Sequence, residues 1–189
     1  MSLHNYSLIE LKSDTIINNF NCDDTDLNDF LLSKAKDFSS ELLATTYLLE
    51  KDNTTIAYYS VFNDSLRIEE SNFNSKSSFK KFFSNFLPHR KRYLKNIPAI
   101  KIGRLAVSVD GKGQGIGKKI IDNIISFCLS HNTHCACKLI TVDAYRESLG
   151  FYEKMGFEYL SDKDEDDDTR QMYIDLTPYF NTEEESLQN

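Results

Sequence analysis

The chain has 189 residues, of which 40% are hydrophobic and 27% charged, and its formal net charge is −7. That length and balance exclude a disordered chain and fit a single domain, residues 1–189, able to bury a core without staples. The acidic balance argues against nucleic-acid binding over the whole surface, while leaving room for a local basic patch.

The first ten residues lack a basic start followed by an apolar run, and no stretch approaches the roughly 18 consecutive apolar residues of a membrane span. A cytoplasmic protein without membrane contact is expected. Four cysteines, Cys22, Cys128, Cys135 and Cys137, fit free, buried or partly buried thiols in a reducing compartment. His131, His134, Cys135 and Cys137 crowd into seven residues and lack the separated pairs of a zinc site, so no metal is expected. The other histidines are His4 and His89.

In chain order, residues 7–13 alternate as a first strand. Asp23, Asp24 and Thr25 supply helix-start chemistry, and Leu27, Phe30, Leu31 and Phe38 follow at helical spacing over 24–40. Residues 43–51 and 55–63 are β-rich and flank the turn signal Asp52-Asn53, which predicts a hairpin. An insertion at about 65–96 breaks the pattern. Within it, 76–95 carries seven Lys or Arg, no acid, and Phe79, Phe82, Phe83, Phe86 and Tyr93; a short helix is expected over 76–86, ended by Pro88. A strand over 99–109, a helix over 115–130 and a strand over 138–143 predict a parallel crossover. A helix from Glu147 to Met155, stopped by Gly156, and strands at 157–160 and 171–176 complete the chain. The acidic run Asp162–Asp168 lacks Ca²⁺-loop spacing and reads as a solvated hairpin loop. This order predicts a mixed α/β (α+β) fold.

The chemistry concentrates in Lys112-Gly113-Gln114-Gly115-Ile116-Gly117, between a strand and a helix. Glycine permits positive φ and close backbone approach, and a helix start offers free N–H groups and partial positive charge to an anion. Lys118 and Lys119 add point charges. A Walker A reading fails, because Lys112 stands where glycine is required and Lys119 where Ser or Thr is. The G-x-G-x-x-G fingerprint fails in every register. A fourth glycine, Gly111, is expected to loosen the turn.

These residues resemble the Q/R-x-x-G-x-G/A motif of the GNAT superfamily of N-acetyltransferases. Gly103-Arg104-Leu105-Ala106-Val107 looks like its preceding strand, and Val142-Asp143-Ala144 with Phe151-Tyr152-Glu153-Lys154-Met155-Gly156-Phe157 looks like its later "VDA…FYEKxGF" segment. Phe20 to Asp23 and Leu27 to Leu31 resemble the start of the toxin-like branch. Lys112 departs from the usual Gln or Arg, keeping a cation but losing the planar fork.

The resemblance implies a central, mostly antiparallel twisted sheet flanked by helices, with a helical insertion. It implies acetyl-CoA as co-substrate, held by Leu105, Ala106, Val107, Lys112, Gly113, Gln114, Gly115, Ile116, Gly117, Lys118 and Tyr152. It implies direct transfer to a primary amine in a ternary complex, with the Val107 N–H polarising the thioester oxygen and Tyr152 donating to the leaving thiolate. Full proton transfer from a phenol of pKa about 10 to a thiolate of about 8.5 is uphill by roughly 2 kcal/mol, so a hydrogen bond is the expected contribution. A tyrosine packed in the core is the other reading of Tyr152. Asp143, Glu153 and water stay open as base, and an acetyl-cysteine route is disfavoured.

The toxin-like branch acetylates aminoacyl-tRNA, and segment 76–95 could meet its phosphates and bases by charge and stacking. The competing reading is a helical lid whose Phe residues pack on the sheet. Removing this segment's +7 leaves −14 on the rest, which weakens the RNA reading. Small-molecule or protein amines, a non-catalytic acetyl-CoA-binding module, an antitoxin partner and a homodimer all stay open.

Overall fold

A computed structural model describes residues 6–86, 96–161, 163–165 and 167–180, without the side chains of residues 85 and 86. His4, the 87–95 half of the basic segment (Pro88, His89 and Tyr93 included), Asp162 and Asp166 lie outside the described residues. Seven strands form one sheet in the order β1-β2-β3-β4-β5-β7-β6. The pairs β1/β2, β2/β3, β5/β7 and β6/β7 are antiparallel. The chain divides into two compact units, one from residues up to Asn63 plus Lys101–Phe127, the other from Asp64–Ile100 plus Cys128 onward.

The first unit holds β1 (Ser7–Glu10), α1 (Thr25–Asp29), a π-helical turn (Phe30–Lys34), α2 (Ala35–Ser40), β2 (Thr45–Lys51), most of β3 (Thr54–Arg67), the end of β4 (Asn96–Val107) and most of α4 (Ile116–His131). The Asp24 carboxylate caps α1 by accepting from the Leu27 N–H at 3.0 Å. The helix expected over 24–40 is present, but a π-helical turn interrupts it and sends Phe30, Leu31 and Ala35 into a core with Leu11, Phe20, Leu48, Tyr58 and Ala106. Tyr58 donates to the Leu27 carbonyl at 2.7 Å and so fastens α1 to β3. Between β2 and β3, Asp52 (φ 49°) and Asn53 (φ 60°) are both left-handed, the conformation a two-residue hairpin turn requires. β1 stops at Glu10 rather than residue 13, because the Lys12 N–H turns to the Thr15 hydroxyl. On α4, Ile116, Ile120, Ile121 and Ile124 are buried at helical spacing.

The second unit holds the remainder of β3 and β4, α3 (Lys76–Phe86), β5 (Leu139–Tyr145), α5 (Leu149–Lys154), β6 (Glu158–Tyr159) and β7 (Thr169–Asp175). β3 continues to Arg67, past the expected end at 63, because Leu66 and Ile68 are buried with Ile97, Ala99, Leu139, Leu160 and Tyr173. Phe83 completes that cluster, and Phe73, Phe79 and Phe82 pack against it. The inward aromatic face of α3 thus follows the lid reading, with Lys76, Lys80 and Lys81 exposed on the other side. The 3₁₀ turn Arg146–Ser148 precedes α5, and Gly156 (φ 87°) ends it.

Two further expectations need correction. Cys22, Cys128 and Cys137 are buried, but Cys135 is exposed, since the turn leaving α4 is held by its backbone N–H to the His131 carbonyl. The acidic loop is not wholly solvated. Asp164 is largely buried, ion-pairs with Arg170 at 3.2 Å, and accepts from the Gln171 N–H at 2.9 Å.

Phe83→Ala is expected to destabilise the protein by about 3–5 kcal/mol, the usual cost of emptying an aromatic core site. Lys80→Ala on the exposed face should stay within about 0.5 kcal/mol. Urea unfolding of the two variants checks this.

Candidate acetyl-CoA site

The glycine turn is built by the end of β4. The Ser108 N–H donates to the Ile56 carbonyl at 2.8 Å, and the Val109 N–H to the Asn21 carbonyl at 2.9 Å. The strand therefore ends at Val107 rather than residue 109, and a 3₁₀ turn over Val109–Gly111 follows, capped by the Ser108 hydroxyl. Gly111 tightens this turn, contrary to expectation. A Cβ there would lie 2.9 Å from Ile56, 3.0 Å from Val107 and 3.1 Å from Ile116. Glycine lets the turn seat directly on β3.

Gly113 (φ 76°) and Gly115 (φ 70°) are left-handed, and a Cβ on either would meet only open space. Glycine is needed there for backbone conformation and not for room inside the fold. α4 begins at Ile116, whose side chain is buried. Among the described residues, the N–H groups of Gly113, Gly115, Ile116 and Gly117 have no hydrogen-bond partner. Free N–H groups in the first turn of a helix, next to exposed glycines, form an anion cradle. Each such interaction contributes about 0.3–1 kcal/mol when exposed.

The flanking cations are engaged elsewhere. Lys112 Nζ donates to the Cys22 carbonyl at 3.0 Å and lies 3.7 Å from Asp23. Lys118 Nζ pairs with Asp122 one helical turn on, at 2.9 and 3.0 Å. The Gln114 side-chain amide folds back to the Asp110 carbonyl at 2.7 Å. The link from Lys112 to Cys22 joins residues 90 apart, and no local pattern foretells it. On β4, Ala106 is buried in the first core, while Leu105 and Val107 are half-buried on the alternate face. Arg104 lies over Phe30 with its guanidinium carbon 4.9 Å from the ring centroid.

Tyr152 belongs to α5 in the second unit. It is 6% exposed, with its ring at 5.0 Å from Phe151 and 5.2 Å from Phe157. Its hydroxyl has no hydrogen-bond partner among the described residues. Burial pushes the phenol well above its usual value of 10.0. In the same unit Asp143 lines a polar recess of about 340 Å³ with Asn72, Asp164 and Gln171. Among the described residues no three His, Cys, Asp or Glu groups converge as metal ligands, and no helix is long and apolar enough to cross a membrane.

Residues 92–176 match the family model "Acetyltransferase (GNAT) domain". The chain shares its fold with a structure described as a bacterial toxin, at TM-score 0.77 and 15% identity over 95% of each chain. AtaT complexed with acetyl-methionyl-tRNAfMet aligns at TM-score 0.71 and 21% identity, over 92% of this chain and 96% of that one. A tyrosine-to-phenylalanine mutant of the AtaT toxin, bound to the C-terminus of the antitoxin AtaR and to acetyl-CoA, aligns at 0.69 and 19%, over 92% and 94%. No curated protein matches the sequence. Residues 92–176, which carry the glycine turn and Tyr152, are thus similar to an acetyltransferase (GNAT) domain, and the chain shares its fold with the toxin structures.

With its folded-state value raised by burial, Tyr152 stays protonated through pH 10, where an exposed phenol would be half ionised. In a pH profile of kcat/KM, no descending limb assignable to Tyr152 should appear up to that pH. A limb near 10 that vanishes in Tyr152→Phe would contradict the assignment.

Proposed function

We propose that this chain transfers the acetyl group of acetyl-CoA to a primary amine, and that its acceptor is the amino group of an aminoacyl-tRNA. The observation that carries the first part is the set of N–H groups at Gly113, Gly115, Ile116 and Gly117 that have no partner among the described residues. They suit the pyrophosphate of CoA, and the matched family supplies the reaction class. Because Lys112 and Lys118 are already paired with protein groups, the backbone holds the pyrophosphate and the side chains hold the turn.

In the proposed reaction the neutral amine attacks the thioester carbonyl. The backbone of Leu105, Ala106 and Val107 supports the pantetheine arm, and the Val107 N–H stabilises negative charge on the carbonyl oxygen. The carbon–sulfur bond breaks, CoA leaves as the thiolate, and water takes the proton of the attacking amine. Tyr152 donates a hydrogen bond to the thiolate. Its raised pKa favours this role, since a phenol that holds its proton is a persistent donor and a poor acid.

The tRNA acceptor is proposed from the fold shared with AtaT and from the exposed Lys76, Lys80 and Lys81 on α3. Phe79, Phe82 and Phe83 are turned to the core, so these lysines act on phosphates by charge and the three rings do not stack on bases. A peptide antitoxin is proposed as partner on the same likeness.

Gly115→Glu should reduce acetyl-CoA affinity at least ~100-fold, because a side chain at φ 70° distorts the cradle and its carboxylate repels the pyrophosphate. Titration calorimetry measures it, and unchanged affinity would remove the pyrophosphate from this turn. Tyr152→Phe should lower kcat by roughly 10–100-fold with acetyl-CoA affinity preserved, the effect of deleting one donor to a developing charge. CoA release with charged tRNA, set against small amines and peptides, identifies the acceptor. Tight acetyl-CoA binding without turnover on any of them would instead define a binding module.

A further inference from the structure

We propose that Tyr6, Lys51 and Lys119 form a second anion subsite on the first unit, which takes the 3′-phosphate at the adenosine end of acetyl-CoA. This rests on the reading that the glycine turn holds the pyrophosphate. The three residues come from separate elements. β1 and β2 pair with Ser7 opposite Glu50, which sets Tyr6 beside Lys51 at the end of β2. Lys119 is in the first turn of α4, its N–H bonded to the Gly115 carbonyl at 3.2 Å. The Lys119 ammonium lies 5.2 Å from the Tyr6 ring centroid and the Lys51 ammonium 5.8 Å from it.

Two like charges gathered at one ring repel each other, and a cation–π contact offsets only part of that at a surface site. Among the described residues neither ammonium has a carboxylate partner, whereas the neighbouring Lys112 and Lys118 both do. A phosphate monoester, close to dianionic at neutral pH, would neutralise both lysines together. Lys119 follows Gly115 by one turn of helix, about 6 Å along the axis. Lys119 therefore rises from the same helix as the cradle, one turn beyond it. The consequence is selectivity: this chain should distinguish acetyl-CoA from the same thioester lacking its 3′-phosphate.

The experiment is titration calorimetry of the full chain with acetyl-CoA and with 3′-dephospho-acetyl-CoA, repeated on the double variant Lys51→Met, Lys119→Met. The wild type should bind acetyl-CoA at least roughly tenfold more tightly than the dephospho compound, the effect of one charge-assisted contact. The double variant should bind the two equally. A preference that survives in the double variant overturns the subsite. So does a wild type with equal affinity for both compounds, and that outcome leaves the pyrophosphate reading intact. Failure of the wild type to bind either compound overturns both readings. A thermal melt of the double variant matching the wild type shows that the lost preference is not lost folding.

Discussion

Among the described residues nothing pairs with the peptide N–H groups at the head of α4, and the surrounding structure is arranged to keep them so. Gly113 and Gly115 turn the backbone through left-handed conformations, and no side chain among the described residues caps those groups. Behind it, Gly111 sits against Ile56, Val107 and Ile116 at distances that exclude a Cβ. The turn is thus fixed on its inner side by close packing and open on its outer side. A polar backbone surface held in this way costs stability unless water or a ligand satisfies it. An anion satisfies it best, because the helix start is partially positive.

The cations around the turn divide into two kinds. Lys112 and Lys118 are paired within the protein, one to the loop at Cys22 and Asp23, the other to Asp122 along the helix. They fix geometry. Lys51 and Lys119 meet at the ring of Tyr6, with no carboxylate partner among the described residues. They carry charge that the fold itself does not use. A basic residue beside a phosphate motif can therefore be structural support or ligand contact, and its partner decides which.

Tyr152 shows how one side chain can be packed and still keep its hydroxyl available. Its ring packs between Phe151 and Phe157, as a core residue would, while its hydroxyl has no protein partner among the described residues. Packing and donation are compatible. Burial that holds the ring also raises the phenol pKa and keeps the proton in place. The same environment makes complete proton transfer less favourable, so the residue is suited to a hydrogen bond and unsuited to release of a proton.

Much of this was legible in the sequence. The order of strands and helices, the Asp52-Asn53 hairpin, the apolar stripe of α4 and the glycine turn are local or periodic features, and local patterns depend on φ, ψ and side-chain alternation within a few residues. The π-helical turn at Phe30–Lys34 and the continuation of β3 to Arg67 were not legible, since distant core partners such as Tyr58 and Tyr173 set them. By itself the sequence determined a strand–glycine turn–helix within a mixed α/β fold. Only the tertiary structure decided that Gly111 tightens the turn, that Lys112 reaches back to Cys22, and that Tyr6 gathers two lysines. Those outcomes depend on contacts between residues far apart in the chain, whose proximity no spacing along the sequence encodes.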